Sequence, residues 1–521
     1  MKIRYALSLL TLPALALMLL ASCASDDSDY GTPGKNYIDL GGIEKSYNIE
    51  SFSNEKLSIT PTITSSFGDD DLEYLWTYYL ASKGMESYYD ASTNTTTFPK
   101  ADTLSHDRNL DMSVDLPDGQ YTLIYTVKSK STGYSQQVVT TLSTASALAD
   151  GFYVMKETSD GNTDLDLYNP TKKTLVSNIL ANYRGAAMPG APRSMDLIYE
   201  TPYVNSQGDK ATVNTLFLAT EADSMRFVSL QDASTIISPA NVHYDLVEGE
   251  KPYKAIHGYF ANFYATSNGV YNASASGSGI FGASNGDAAS EFVTSGGSSS
   301  FYAVLYWSDA AKSIEAINYN GDKMTVASAV AGYSATGIDA TCIACGHSEA
   351  LAGSSYFLFR SNTTPAKYYL YTLSASSARA DIDDVREVPA DSHFAKATVR
   401  AFNGKTATIA YAVDNNKLYS YDLVHESAEK ELTLKGIGAD EQITYVSNRY
   451  FTSSDSSFDY LVIGTQKGNA YKLYFYNMIG GEPVGDAVFT ISGEGKMKSL
   501  VYVNHLITSY DDASLLPLSN Y

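Results

Sequence analysis

The sequence contains few cysteines, few tryptophans and a deficit of basic residues. It has 3 Cys and 2 Trp among 521 residues, and its 36 Lys and Arg stand against 58 Asp and Glu, for a formal net charge of −22. So few cysteines exclude a disulfide-stapled scaffold. The dispersed acidic charge argues against nucleic acid as a partner and against peripheral binding to anionic lipid, because both require clustered Lys and Arg. Long stretches with helical periodicity are also hard to find.

Two of the cysteines lie close together, in the segment Cys342-Ile343-Ala344-Cys345. Gly346 separates this segment from His347, so the pattern departs from the C-x-x-C-H of haem attachment. No second C-x-x-C completes a zinc site. Three alternatives stay open: a local disulfide, two small buried or free thiols, or a metal or redox role. The sequence predicts no metal site and no cofactor.

The remaining cysteine, Cys23, closes an apolar stretch near the start of the chain. Lys2 and Arg4 precede a run that is almost wholly apolar from Tyr5 to Ala21, which is typical of a signal peptide. The ending Leu-Ala-Ser-Cys resembles the bacterial lipobox and predicts lipidation of Cys23 after removal of residues 1–22. Residues 23–36 form an acidic tether that resembles the signal for export to the outer face of the outer membrane.

What the sequence has in abundance is the composition of β-structure. There are 42 Tyr, and short β-branched and aromatic runs are bounded by Gly, Asn, Asp and Ser throughout. In residues 37–146, one strand carries Trp76, and residues 121–127 alternate between apolar and polar side chains after a Pro-Asp-Gly turn. This pattern predicts an Ig-like β-sandwich of about 110 residues.

The segment GQYTLIYTVKSKSTGYSQQVV resembles the last two strands of PKD-type Ig-like domains. The Trp76 strand resembles their central strand, although the usual W-D-F-G-D-G segment is replaced by LWTYYLASKG. The resemblance implies a spacer or docking module and suggests no catalysis.

Residues 147–521 repeat one hairpin seven times: an apolar strand, a polar turn and a second strand rich in Tyr. The hairpins begin near residues 152, 216, 259, 302, 356, 408 and 460. A spacing of about 40–60 residues is close to that of propeller blades, and a single hairpin cannot bury both of its faces. The sequence therefore predicts an all-β chain in which the sandwich is followed by a β-propeller, most simply with seven blades; six or eight blades are the alternatives.

The hairpin turns are the candidate ligand site, because they occupy equivalent positions and should gather on one face. A polar ring with a few aromatic side chains suits oligosaccharides or peptides, although Asn and Asp are also simply good turn formers. The candidate residues are Asp160, Asp223, Asn268, Trp307, Asp309, Asn362 and Asn415, together with His257, which lies beside aromatic residues.

Taken together, the lipobox, acidic tether, sandwich and propeller opening ADGFYVMKETSDGNTDLDLYNP resemble the PKD-like family of Bacteroidetes surface lipoproteins. The resemblance implies an accessory nutrient-capture or docking role beside a TonB-dependent SusC/SusD-type transporter, with the protein anchored by lipid to the outer membrane. It supplies no catalytic residues.

Three functions therefore remain to be separated. The first is a non-enzymatic binding lipoprotein on the cell exterior. The second is a propeller lyase or glycosidase, which needs paired carboxylates ~5–9 Å apart or a Tyr/His/Arg cluster at the channel mouth. The third is a purely structural component of a transporter complex, which would show a large exposed apolar patch.

Overall fold

The computed structural model describes residues 36–504 except 54, 82–87, 91–94, 98–100, 206–207, 259, 298–302, 329, 331, 352, 426 and 453–456. The predicted signal peptide, Cys23 and the tether up to residue 35 lie outside the described residues. The described chain divides into two compact units. The first comprises described residues within 1–47, 57–112 and 120–142, and the second those within 48–56, 113–119 and 143–521.

The amino-terminal part of the chain is built from short strands. They are β1 (Ile38–Gly41), β2 (Ser46–Ser51), β3 (Lys56–Ile59), β4 (Thr62–Ser65), β5 (Leu72–Leu80), β6 (Tyr88–Asp90), β7 (Thr95–Thr97), β8 (Asp102–Ser105), β9 (Leu110–Ser113), β10 (Gly119–Ser129) and β11 (Ser135–Ser146). Within the first unit β11, β10, β5 and β8 are hydrogen-bonded neighbours in that order, and β1 pairs with β4.

Trp76 lies at the centre of this amino-terminal sandwich, as the sequence predicts. It is fully buried on β5, stacks on Tyr125 of β10 with ring centroids 4.2 Å apart, and donates its indole N–H to the carbonyl of Asp107. The predicted alternation on β10 is confirmed, because Tyr121, Leu123, Tyr125 and Val127 are all buried while the side chains between them are more exposed. Period-2 alternation of this kind buries one face of a strand.

The second unit contains seven sheets in sequence order. The first contains β12 (Gly151–Glu157), β13 (Thr163–Asn169), β14 (Thr174–Val176) and, from much later in the chain, β39 (Lys496–Val503). The second contains β15 (Pro192–Val204), β16 (Lys210–Thr220), β17 (Met225–Ser229) and β18 (Thr235–Ile237); the third β19 (Pro252–Ile256), β20 (Ala261–Thr266) and β21 (Gly269–Ser274); the fourth β22 (Val293–Gly296), β23 (Ala303–Ser308), β24 (Ser313–Asn318) and β25 (Lys323–Met324). The fifth contains β26 (Val326–Ser328), β27 (Ala340–Ser348), β28 (Ser354–Ser361), β29 (Tyr368–Ala375) and β30 (Ala380–Val388); the sixth β31 (Val399–Phe402), β32 (Ile409–Asp414), β33 (Lys417–Asp422) and β34 (Lys430–Leu432); the seventh β35 (Gln442–Thr452), β36 (Ser457–Lys467), β37 (Ala470–Ile479) and β38 (Glu482–Glu494).

The helices among the described residues are short and lie between strands. They are α1 (Ile179–Arg184) and α2 (His393–Lys396), with single 3₁₀ turns at Asp69–Asp71, Ala147–Ala149 and Glu349–Leu351.

These seven sheets are the blades of a closed β-propeller. The last described strand, β39, pairs with β12 and so completes the first blade with a strand from late in the chain. The inner strands β39, β15, β19, β22, β27, β31 and β35 each contact the next, and β35 contacts β39 again. The predicted seven-bladed propeller is confirmed, and each predicted hairpin forms the second and third strands of one blade, counted from the channel. Radial closure leaves only short, protected sheet edges.

The apolar core lies between the blades. Strands β20, β23 and β24 are buried at every position, and a separate apolar cluster fills each gap from the second blade round to the seventh. The largest cluster joins the seventh, first and second blades. Because both faces of a middle strand are covered, burial is continuous along it and lacks the alternation of a half-exposed strand.

A buried ion pair stands at the seam where the ring closes. Lys156 Nζ on β12 lies 2.7 Å from Asp166 Oδ1 on β13, and both side chains are almost fully buried. Tyr471 of the seventh blade donates its hydroxyl to Asp166 Oδ2 at 2.7 Å, and the Asn178 N–H donates to Oδ1. The carboxylate therefore has charged and neutral partners from two adjoining blades, the arrangement that a buried charge requires.

Candidate functional site

A polar cavity of about 290 Å³ lies where the inner strands of six blades approach one another. We call it the channel cavity. It is lined by Arg193, Ser194, Met195, Asp196, Tyr253, Lys254, Glu291, Val399, Arg400, Ala401, Tyr445, Val446, Ser447, Arg449, Lys498 and Ser499. Five of these side chains are basic and two are acidic, the reverse of the charge balance of the whole chain. Clefts lined by one sign of charge concentrate ligands of the opposite sign.

Strand β35 supplies three polar residues at alternate positions. Tyr445, Ser447 and Arg449 share one face of this strand because side chains repeat with period 2. Arg449 is 4% exposed and donates to the Tyr445 hydroxyl at 2.9 Å, to the Asn448 carbonyl at 3.1 Å and to the Leu500 carbonyl of β39. These bonds hold the guanidinium rigidly at the wall of the channel.

The other cations of the channel cavity differ in how far their charge is compensated. Arg193 is ion-paired with Glu221 at 3.0 Å and with Asp223 at 3.1 Å. Arg400, in contrast, donates to the carbonyls of Phe394 and Ala395, which are neutral. Among the described residues, neither Arg400 nor Arg449 donates to a carboxylate. The cavity therefore carries positive charge that is not neutralised by direct pairing.

Asp196 is the buried carboxylate of the channel cavity. It is 2% exposed, and its Oδ2 accepts the Ala255 N–H at 3.1 Å. Desolvation raises the pKa of Asp196 from 3.8 to about 6, although the positive charges of Lys254 and Arg449 and the Ala255 hydrogen bond oppose the shift. A carboxyl group poised in this pH range is typical of functional sites.

We expect Asp196→Asn to stabilise the protein at neutral and alkaline pH. Because the pKa of Asp196 is raised by folding, its stabilising contribution is complete below about pH 4 and is lost as the pH rises through about 6. At about pH 8 the variant should gain up to ~3 kcal/mol in free energy of unfolding. Urea unfolding at several pH values measures this, and the gain should shrink towards pH 4. Glu291→Gln, which alters an exposed carboxylate of the same cavity, is the control and should change little.

The predicted turn residues lie between the second and third strands of their blades, and therefore on the same face as the channel cavity. Asp223 contacts Arg193 of the cavity, and Asp160 lines a separate cavity of about 340 Å³ beside the first blade. Asn268 and Asn362 are exposed on their turns. Asn415 and Asn416 have φ of 50° and 61°, which suits a two-residue hairpin turn.

Trp307 and His257 lie away from the channel cavity. Trp307 is fully buried between the fourth and fifth blades, packs edge-on against Phe359 and donates its indole N–H to Asp309 at 2.7 Å. It presents no open face for stacking on a sugar. His257 is buried against Tyr199 and bonds Asn262, and desolvation lowers its pKa to about 4, so its ring is neutral at physiological pH.

Cys342 and Cys345 are free thiols on β27. Of the alternatives left open by the sequence, the structure shows the two thiols without a disulfide. Both belong to the apolar packing between the fourth and fifth blades, Cys342 fully and Cys345 partly buried. Burial raises the pKa of both, that of Cys345 to about 12, so both stay protonated and unreactive.

A second cavity, of about 600 Å³, opens on the opposite face of the propeller between the seventh and first blades. Phe458, Tyr460 and Phe489 line it with partly exposed rings, and Phe458 stacks on Tyr460 with centroids 4.7 Å apart. Lys172 and Glu50, which form an ion pair, lie at its rim. This aromatic groove could accept the face of a sugar or an aromatic side chain.

The channel residues were not predicted from the sequence, although a signal exists. Five of the seven inner strands carry a basic residue that lines the channel cavity: Arg193, Lys254, Arg400, Arg449 and Lys498. Four of these strands directly precede a repeated hairpin in the sequence, and the fifth, β39, follows the last hairpin and its outer strand. Aligning the hairpins and extending each alignment by one strand would have placed these charges in a ring.

The comparison with family models identifies the amino-terminal part of the chain. Residues 23–192 match the PKD-like family. The match begins at Cys23 and ends at the first residue of β15, so it covers the predicted tether, the sandwich and the first blade except for β39. No curated protein matches the chain in sequence.

Three solved structures are similar to the chain as a whole or to its propeller. A quinoprotein alcohol dehydrogenase-like protein from Bacteroides thetaiotaomicron is 13% identical, covers 90% of this chain and 99% of its own, and has a TM-score of 0.45. The Cps50 (Swd1) β-propeller domain of Myceliophteria thermophila is 10% identical, with coverages of 60% and 93% and a TM-score of 0.36. BamB from Moraxella catarrhalis is 10% identical, with coverages of 67% and 87% and a TM-score of 0.30. The fold assignment rests on the strand pairing described above.

Proposed function

We propose that this protein is a surface-exposed outer-membrane lipoprotein, anchored through Cys23, that captures a ligand without catalysis. The ligand is an oligosaccharide or a peptide, and the protein acts as an accessory component of a TonB-dependent SusC/SusD-type uptake system. The observation that carries the proposal is the channel cavity, a polar recess built by six blades on a closed frame. Ligand sites are typically concave and preformed, with a few convergent polar groups.

The anchoring part of the proposal rests on the lipobox and the acidic tether of the sequence. No helix within the described part of the chain is both long and apolar enough to cross a membrane. Several acyl chains on Cys23 would hold the protein at the membrane surface, since each buried CH₂ contributes ~0.8 kcal/mol.

One observation favours the alternative of a surface enzyme. Asp196, with its pKa raised to about 6, lies in the same cavity as Tyr445 and Arg449, so a buried acid, a phenol and a cation share one recess. A glycosidase or a polysaccharide lyase uses groups of this kind. A turnover assay with acidic and neutral glycans separates this alternative from pure capture. The assay measures new reducing ends or new carbon–carbon double bonds.

We expect the lipidated protein, affinity-purified from detergent-solubilised outer membrane of its own organism, to bring down a TonB-dependent transporter and its SusD-like lid in near-stoichiometric amounts. A Cys23→Ser variant should not acquire the anchor and should be recovered from the soluble fraction without these partners. Recovery of the wild-type protein alone would remove the support for the transporter association. Recovery of the Cys23→Ser variant in the outer membrane would contradict lipid anchoring.

A further inference from the structure

Two polar atoms at the channel cavity have no hydrogen-bond partner among the described residues. They are Arg449 Nε and Ser447 Oγ, on side chains that are 4% and 2% exposed. Buried polar groups are nearly always paired, and a buried group without a partner is costly to the fold, especially when it is charged. The two residues are i and i+2 on β35, so their side chains face the same way. Both line the cavity.

The charges around Arg449 Nε and Ser447 Oγ indicate which kind of hydrogen-bond acceptor would pair with these two donors. Arg400 and Arg449 donate otherwise only to neutral oxygens, and Lys254 and Lys498 line the same recess. A guanidinium Nε–H and a hydroxyl on residues that line a basic recess match an anionic oxygen acceptor. Hydrogen bonds between charged partners are roughly twice as strong as those between neutral ones.

The rest of the lining favours a sugar as the carrier of that anion. Tyr253 and Tyr445 are partly exposed in the cavity, and Ser194 and Ser499 add hydroxyl groups. Partly exposed aromatic rings and small hydroxyl side chains suit the faces and hydroxyls of a pyranose. An acidic peptide shares the charge but makes less use of these hydroxyls.

We infer that the channel cavity binds an acidic sugar unit, and that Arg449 Nε and Ser447 Oγ donate hydrogen bonds to its oxyanion. The oxyanion is a carboxylate or a sulfate, two sources of the same acceptor chemistry. The surrounding basic side chains attract it, so affinity should fall as salt is added. This inference rests on the proposed function and names the ligand class that the propeller captures.

The test is isothermal titration calorimetry on the full chain with four probes. Trigalacturonate carries carboxylates, galactose 6-sulfate carries a sulfate and no carboxylate, galactotriose is neutral, and triglutamate is an acidic peptide. We expect at least one acidic sugar to bind, with affinity that falls with salt, and galactotriose and triglutamate to bind at least tenfold more weakly. Comparing the first two probes assigns the oxyanion.

The decisive variant is Ser447→Ala. It removes a hydroxyl that has no partner in the described structure, so we expect the urea concentration of unfolding to stay the same or to rise. Affinity for the acidic sugar should fall about tenfold, because one hydrogen bond to a charged group is lost. Thr220→Val is the matched control, because Thr220 Oγ1 is also buried and unpartnered but does not line the cavity. It should leave affinity unchanged.

Each other outcome overturns the inference. Binding of neither acidic sugar, binding of galactotriose or triglutamate as tightly as the acidic sugars, or full affinity in Ser447→Ala would each exclude the proposed oxyanion site. Tight binding of a neutral glycan would exclude the oxyanion site but would leave the proposed capture function intact. Failure of the capture function itself would appear separately, as the absence of both a glycan or peptide ligand and a transporter partner.

Discussion

Replacing Lys156 with methionine should lower the free energy of unfolding by ~3–5 kcal/mol, among the largest effects of any single substitution in this chain. The methionine keeps the length of the side chain but removes its charge. Asp166 is then left buried and charged with only the neutral donors Tyr471 and Asn178. Since these partners belong to the first and seventh blades, the lost free energy weakens the contact between the blades where the ring closes. Urea unfolding followed by tyrosine fluorescence measures it.

The matched control is Lys496→Met, on the adjoining strand β39. Lys496 pairs with Glu157 at 3.2 Å, but its side chain is mostly exposed, so this variant should change the free energy of unfolding by no more than ~1 kcal/mol. Adding Asp166→Asn to Lys156→Met should recover part of the loss, because it removes the unpaired charge. If Lys156→Met unfolds at the same urea concentration as the Lys496→Met control, the seam does not depend on this ion pair.

The second large effect is expected for Trp307→Ala, at ~3–5 kcal/mol of destabilisation. Trp307 is fully buried, packs against Phe359 across the gap between two blades and gives its indole N–H to Asp309. Deleting the ring opens a large cavity that rigid neighbouring sheets cannot fill. Asp309→Ala removes only one hydrogen bond and should cost about 1 kcal/mol.

The same variant separates a core role from a ligand role for Trp307. A core residue lowers stability and leaves ligand affinity unchanged at temperatures where the protein is folded. A binding residue lowers affinity with little change in stability. A Trp307→Ala variant that unfolds like the wild type but loses its glycan affinity would contradict the burial described above.

The propeller could be predicted from the sequence because its signal is local and repeated. Each middle hairpin is a continuous stretch in which two apolar strands flank a polar turn, and burial on both faces makes those strands recognisable without tertiary information. The closure by β39 could not be predicted in this way, because its partner β12 lies more than 300 residues away and neither strand carries a motif for the pairing.

The channel cavity was missed for a related reason. Ser447 and Arg449 are unremarkable in sequence, and only the radial arrangement of the blades brings them beside Lys254 of the third blade. The aromatic residue that the sequence singled out, Trp307, lies close to a surface turn, but every position of β23 is buried and its ring belongs to the core. Sequence position alone does not reveal that neighbouring blades cover both faces of this strand up to the turn.

The protonation of Asp196 should make ligand affinity at the channel cavity depend on pH. Because desolvation raises its pKa to about 6, protonation below that pH removes a negative charge near Lys254 and Arg449. We expect affinity for an acidic sugar to increase as the pH falls from about 7.5 to about 5, as long as the sugar stays ionised. In Asp196→Asn this increase should disappear and affinity at pH 7.5 should already be high. Calorimetry at the two pH values measures both effects.

The most direct test of the channel as the ligand site is a crystal structure of the full chain with trigalacturonate bound. We predict one carboxylate of the sugar within about 2.7–3.2 Å of Arg449 Nε and Ser447 Oγ, the ordinary range for such hydrogen bonds. A sugar bound only in the aromatic groove beside Phe458, or a channel that holds only water at saturating ligand, would contradict the assignment.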